Sequence, residues 1–124
     1  MKDMYGAITP LLAKKPTRVI MHVGTNDSPY KPSQTIVSEL VVLRKFIESN
    51  LPGAKVILSS PIMRTDNKLA NSTIRAVNNS LKSLPNVIHN DKLDAHCLGK
   101  KGLHLNSKGT GKLAVNFISE MQRV

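Results

Sequence analysis

Aromatic side chains are almost missing from this sequence: two Tyr, two Phe and no Trp in 124 residues. Stacking platforms for unpaired bases are therefore poorly supplied, and any core must be aliphatic. Cysteine occurs once, as Cys97, which excludes an internal disulfide and a cysteine-based zinc site and suits a reducing compartment. Acidic residues are few, eight against eighteen Lys and Arg, for a net charge of +10. Such an excess favours anionic partners, nucleic acid or another polyanion among them. No uninterrupted apolar run could cross a bilayer, and the N-terminus has no signal-peptide apolar stretch. The expectation is a soluble, intracellular protein without a membrane span, or a piece of something larger. The apolar share, 40%, is ordinary for a globular chain, and the length suits a single domain spanning 1–124.

What is present alternates. Residues 2–14 place Met4, Ile8, Leu11 and Leu12 on one helical face, and Pro16 ends that helix. Residues 18–23 (RVIMHV) read as a strand, followed by the turn chemistry of Gly24-Thr25-Asn26-Asp27. A second helix opens at Pro32 and Ser33 and runs to about Asn50, with a stripe of Ile36, Leu40, Leu43 and Ile47, stopped by Leu51-Pro52-Gly53. Residues 55–59 (KVILS) are a second strand. Asp66 or Asn67 caps a third helix that points Ala70, Ile74, Val77, Leu81 and Leu84 inward and ends at Pro85. Residues 87–89 make a short third strand, and 91–105 look irregular. Ser107 is the expected cap of a last helix burying Leu113, Ala114, Phe117 and Met121.

Strands separated by helices imply βαβ units, hence an α/β fold with a parallel sheet and helices on both faces. The first strand is apolar enough to be central, yet only one neighbour is accounted for. Its open edge could be covered by further chain or by self-association with a second copy.

In such sheets ligands gather beyond the carboxyl ends of the strands. That edge collects residues 24–27, 59–61, 90 onward and 102–105, so Asn26 and His104 can meet. Asn26 offers an amide donor suited to an oxyanion; it is equally a good turn residue. An unperturbed imidazole has its pKa near neutrality, so His104 could serve as a general base. His22 and His89 read as structural, while His96 is loop-borne near the site. The four histidines lack metal-ligand spacing, and no metal or cofactor is expected. Ser59, Ser60, Ser28 and Cys97 are the nucleophile candidates by position, with Ser60 best placed. Lys100, Lys101, Lys108 and Lys112 give the His104 edge a positive rim.

VIMHVGTND (19–27) resembles the block of the SGNH, or GDSL-type, ester hydrolase family that ends in Gly-x-Asn-Asp. KGLHLNSKGTGKLAVNFI (101–118) resembles the family's last block, where Asp-x-x-His precedes the C-terminal helix. KVILSSPIMR and the helix bearing Asn78-Asn79 resemble its middle, and DMYGAITPLLAKKP the helix before the Gly-x-Asn-Asp strand. Similar sequences also occur as esterase-like domains within retrotransposon-encoded proteins. The resemblance implies a three-layer α/β/α, flavodoxin-like SGNH hydrolase fold with its first strands missing. It implies hydrolysis of a small ester, with Asn26 in the oxyanion hole, His104 as base and Gly24 permitting the turn that presents Asn26. It also exposes departures. No Gly-Asp-Ser occurs, so the nucleophile is unassigned, and Lys101 stands at the position of the triad aspartate. Losing an equivalent carboxylate costs on the order of 10⁴ in rate in a serine protease; a lysine adds a charge that disfavours imidazolium. Asp91 or Asp94 could substitute. The expectation is a truncated or degenerate esterase domain, a pseudoenzyme with little activity, or a non-catalytic basic module for nucleic acid.

Overall fold

The segment KVILS forms the middle of the sheet. Its β-branched and aliphatic residues suit a strand covered on both faces, and all but the first are buried. The computed structural model describes residues 4–7 and 9–122. The strands are β1 (Arg18–Met21), β2 (Lys55–Ser59) and β3 (Val87–Ile88), in the order β1-β2-β3. Both pairings are parallel, Arg18 opposite Lys55 through Met21 opposite Leu58, and Leu58 opposite Val87. The helices are α1 (Met4–Ala7), α2 (Thr9–Lys14), α3 (Ser33–Asn50), α4 (Lys68–Leu81) and α5 (Ser107–Met121). This is an α/β chain with a small parallel sheet.

Parallel strands need crossovers, and α3 and α4 supply them. Ile36, Leu40, Leu43 and Ile47 of α3 recur at helical spacing and are buried against Met21, Val56 and Leu58, with Val77 and Leu81 of α4 in the same cluster. Strand residues alternate, so Ile57 and Ser59 face the other side. There α5 approaches: Phe117 meets the His22 ring edge-on at 5.9 Å, and Asn116 reaches Asn90. Arg44 of α3 is buried and donates to the carbonyls of Pro85 (2.5 Å) and Asn86 (3.1 Å), tying the entry of β3 to the core.

Several expectations are corrected. The N-terminal helix is seen at Met4–Ala7 and Thr9–Lys14; Met1 to Asp3 and Ile8 lie outside the described residues. β1 stops at Met21, because the chain must turn at Gly24, and it lies at an edge of the sheet, paired only with β2 among the described residues. Asn67 is the cap of α4, accepting from Ala70 N at 2.9 Å. Asn106, rather than Ser107, caps α5: its Oδ1 accepts from Gly109 N at 2.9 Å, while its Nδ2 donates to the His96 and Leu98 carbonyls. The expected buried face of α5 is only partly covered. Leu113 and Phe117 are half-buried, Ala114 is exposed and Met121 is 61% exposed. A sheet ending at β1 has no further surface for that helix to cover. His89, expected to be structural, is exposed.

A candidate ligand cleft at the carboxyl edge of the sheet

Gly24 takes φ +117°, where a side chain is strained, and a Cβ there would lie 3.2 Å from Pro61. This turns the chain out of β1 into residues 24–28, closed by Asp27 N to Gly24 O (3.2 Å) and Ser28 N to Thr25 O (3.3 Å). Asn26 is exposed at its tip. Asp27 points elsewhere, to Lys31 at 3.5 Å.

His104 belongs to the loop between the 3-10 turn Ala95–Cys97 and α5. The loop is closed on itself by an antiparallel bridge between Leu98 and Leu105, by Gly99 N to His104 O (2.8 Å) and by Gly102 N to Gly99 O (3.0 Å). It is pinned outward at Gly102, whose carbonyl accepts from Thr65 N (2.7 Å) and Asp66 N (3.3 Å). Gly102 has φ +70°, and a Cβ would collide with Thr65.

Arg64 ties the first loop to Asp66, whose backbone N–H meets the second. Its guanidinium is buried, donates to Thr25 O (3.1 Å) and Ser28 Oγ (3.3 Å), and grips Asp66 bidentately at 2.6 and 2.7 Å. The Asp66 carboxyl is held below the usual carboxylate range, chiefly by those hydrogen bonds from Arg64, with the charge of His104 adding in the same direction. Asp66 is thus an acidic neighbour of His104. The two carboxylates expected to substitute for a triad aspartate are engaged otherwise: Asp91 faces Lys82 at 3.8 Å and Asp94 caps His96 N. Lys101 is exposed.

The result is a cleft of about 630 Å³ lined by Gly24, Asn26, His104, His22, Leu103 and Leu113, among others. Asn26 and His104, remote in sequence, share it. It has the size of a small-molecule site and a mixed apolar and polar wall. The expected nucleophile candidates are not on it. Ser28, Ser59, Ser60 and Cys97 are all buried. Ser60 Oγ accepts from Asn90 N at 2.8 Å and Ser28 Oγ donates to Thr25 O at 2.6 Å, so both serve the backbone. His96 is exposed on its 3-10 turn, outside the cleft lining. No three His, Cys, Asp or Glu side chains cluster as a metal site among the described residues.

Two positions that shape this region escape sequence reasoning. Arg64 follows a strand and a proline with no local pattern, and only the folded chain reveals its partners at Thr25 and Ser28. His22 reads as a strand residue, yet it is half-buried on the cleft wall. Burial pushes its pKa down, with a hydrogen bond from the ring to the Ser59 backbone partly opposing that.

Such a cleft, beyond the carboxyl ends of parallel strands, defines a ligand site of the open α/β class. No protein-family model matches the chain, and no curated protein matches it significantly.

Proposed function

We propose that the chain is a degenerate SGNH/GDSL-type ester hydrolase domain, of the three-layer flavodoxin-like kind, that binds a small ester or acyl group and turns it over little. The supporting observation is the shared cleft: an amide donor, Asn26, on the turn after β1, and an imidazole, His104, on the loop before α5. In this reading Asn26 holds the carbonyl oxygen and His104 is the base. Gly24 makes the turn possible and Arg64 keeps the two loops in register. Low turnover follows from the buried state of the candidate nucleophiles and from Lys101 in place of an orienting carboxylate. Short-chain aryl esters test both halves. The expected result is saturable ester or carboxylate binding with turnover close to background. Robust turnover abolished by His104→Ala would refute inactivity, and absence of any binding would refute the site.

A second reading attaches to another surface. Lys92, Lys108, Lys112 and His89 line a cleft of about 550 Å³ between β3 and α5, floored by Leu93 and Val115. These three lysines have no ion pair among the described residues. Lys108 and Lys112 are one helical turn apart, on one face. This surface suits the phosphate backbone of nucleic acid, read without base stacking. Salt-dependent binding of an RNA or DNA oligonucleotide, weakened by Lys108→Glu with Lys112→Glu, is expected; no binding at low salt would eliminate it.

A further inference from the structure

The second cleft holds more than its lysines. Its base is apolar, with Leu93 buried beneath it and Val115 more than half exposed in its wall. Phosphates bound to Lys92, Lys108 and Lys112 would leave that base in water. Gly111 is part of the same wall; it is exposed and has no side chain, so this stretch of the cleft stays open. Gly111, Val115 and Ile118 recur at helical spacing, which puts them on one line along α5. Ile118 is also more than half exposed. The line runs from the lysine-bearing half of the helix towards its C-terminus, about 10 Å at 1.5 Å per residue. Cationic groups thus gather at one end of a narrow apolar track. No Asp or Glu lines this cleft among the described residues.

We propose that this cleft binds one molecule of a linear amphiphile, a free medium-chain carboxylate. The lysine ammoniums take the head group; the alkyl tail lies over Leu93 and Val115 and on towards Ile118. Apolar surface now in water is then buried, and the aliphatic stems of the lysines lie along the chain. The volume agrees, about 550 Å³ being the size of a small-molecule site. A bilayer is the poorer fit: it engages a broad apolar face, while here the apolar atoms form the base of a cleft. From the second reading the proposal takes only the open lysines, so the two can fail separately.

Decanoate below its micelle concentration, titrated into the full chain and followed by amide and methyl NMR, tests this. The expected result is saturable binding with shifts at Leu93, Lys112 and Val115. Butyrate, which keeps the head group and loses most of the tail, should bind about tenfold more weakly or worse, since two buried methylenes already give that ratio. Lys108→Glu with Lys112→Glu should abolish the decanoate response. Gly111→Leu fills the cleft at a position where a Cβ meets nothing within 4 Å, so it should fold, lose decanoate and keep any oligonucleotide binding. Oligonucleotide binding with no decanoate response overturns the proposal and leaves the second reading standing. A decanoate response confined to Asn26 and His104 moves the ligand to the first cleft and overturns it equally. So does a response to phosphatidylglycerol vesicles with none to monomeric decanoate, or undiminished decanoate binding by Gly111→Leu.

Discussion

Adding one methyl group should move this protein's stability in opposite directions at two glycines of the C-terminal region, Gly102 and Gly111. At Gly102, φ +70° costs an alanine on the order of 1 kcal/mol. The added Cβ would also collide with Thr65 Oγ1 and sit 3.0 Å from Asp66 N. Backbone atoms cannot rotate away, so the loop must lift. That releases the two hydrogen bonds from Thr65 N and Asp66 N to the Gly102 carbonyl, worth about 1 kcal/mol each. Gly102→Ala should therefore destabilise by roughly 3 kcal/mol, lowering the urea midpoint by roughly 1–3 M for a domain of this size. Gly111 lies exposed inside α5, and a methyl group there would meet nothing within 4 Å. Gly111→Ala should stabilise by about 0.5–1 kcal/mol through helix propensity. Urea denaturation followed by circular dichroism measures both, and the His104 ring signal reports whether the loop has moved. It should shift in Gly102→Ala and stay in Gly111→Ala. A Gly102→Ala protein within about 0.5 kcal/mol of the parent would refute the claim that this carbonyl anchors the His104 loop.

Arg64→Met should disturb Asn26 and His104 together, since its guanidinium holds the Asn26 loop and also Asp66, whose backbone N–H meets Gly102 of the His104 loop, and destabilise by roughly 2–3 kcal/mol given its charged hydrogen bonds; perturbation of one loop alone in amide spectra would contradict the hub. His22 gives a pH signature. Its folded pKa lies below the 6.5 of an unfolded chain, so its contribution is full above about 6.5 and is lost as pH falls from there through the depressed value. Urea midpoints should drop over that window, and His22→Gln should flatten the drop. Asp66, also depressed, acts in a separate window, its contribution present above its unfolded value of 3.8 and lost as pH falls below it. Asn106→Ala should cost about 1–2 kcal/mol and Ser107→Ala less than about 0.5, by thermal or urea unfolding; the reverse order would return the cap to Ser107.

What could be read from sequence was whatever local spacing decides. The stripe of Ile36, Leu40, Leu43 and Ile47 and the strand from Lys55 to Ser59 follow from periodicity and from Pro52-Gly53 between them, and both stand in the structure. Gly24 was legible because a glycine after an apolar strand has few other uses. Asn106 and Ser107 are both good caps one residue apart, so composition alone could not rank them; Asn106 prevails because its amide also reaches back to His96 and Leu98. Thr25 and Ser28, which Arg64 holds, and Ser59, which meets His22, lie 36 to 39 residues from those side chains in sequence, beyond any local pattern.

The edge position of β1 bears on how this protein behaves in concentrated solution. A strand with one neighbour is a template for another molecule, and among the described residues β1 offers four residues of such an edge. A net charge of +10 opposes such pairing by repulsion between copies. That repulsion reaches roughly 8–10 Å at physiological salt and about 3 Å at 1 M. Colloidal behaviour is thereby tied to ionic strength: the chain should disperse in dilute buffer and crowd into strand-paired assemblies as salt rises, so a storage buffer chosen for high salt would select for the very contact the charge holds off.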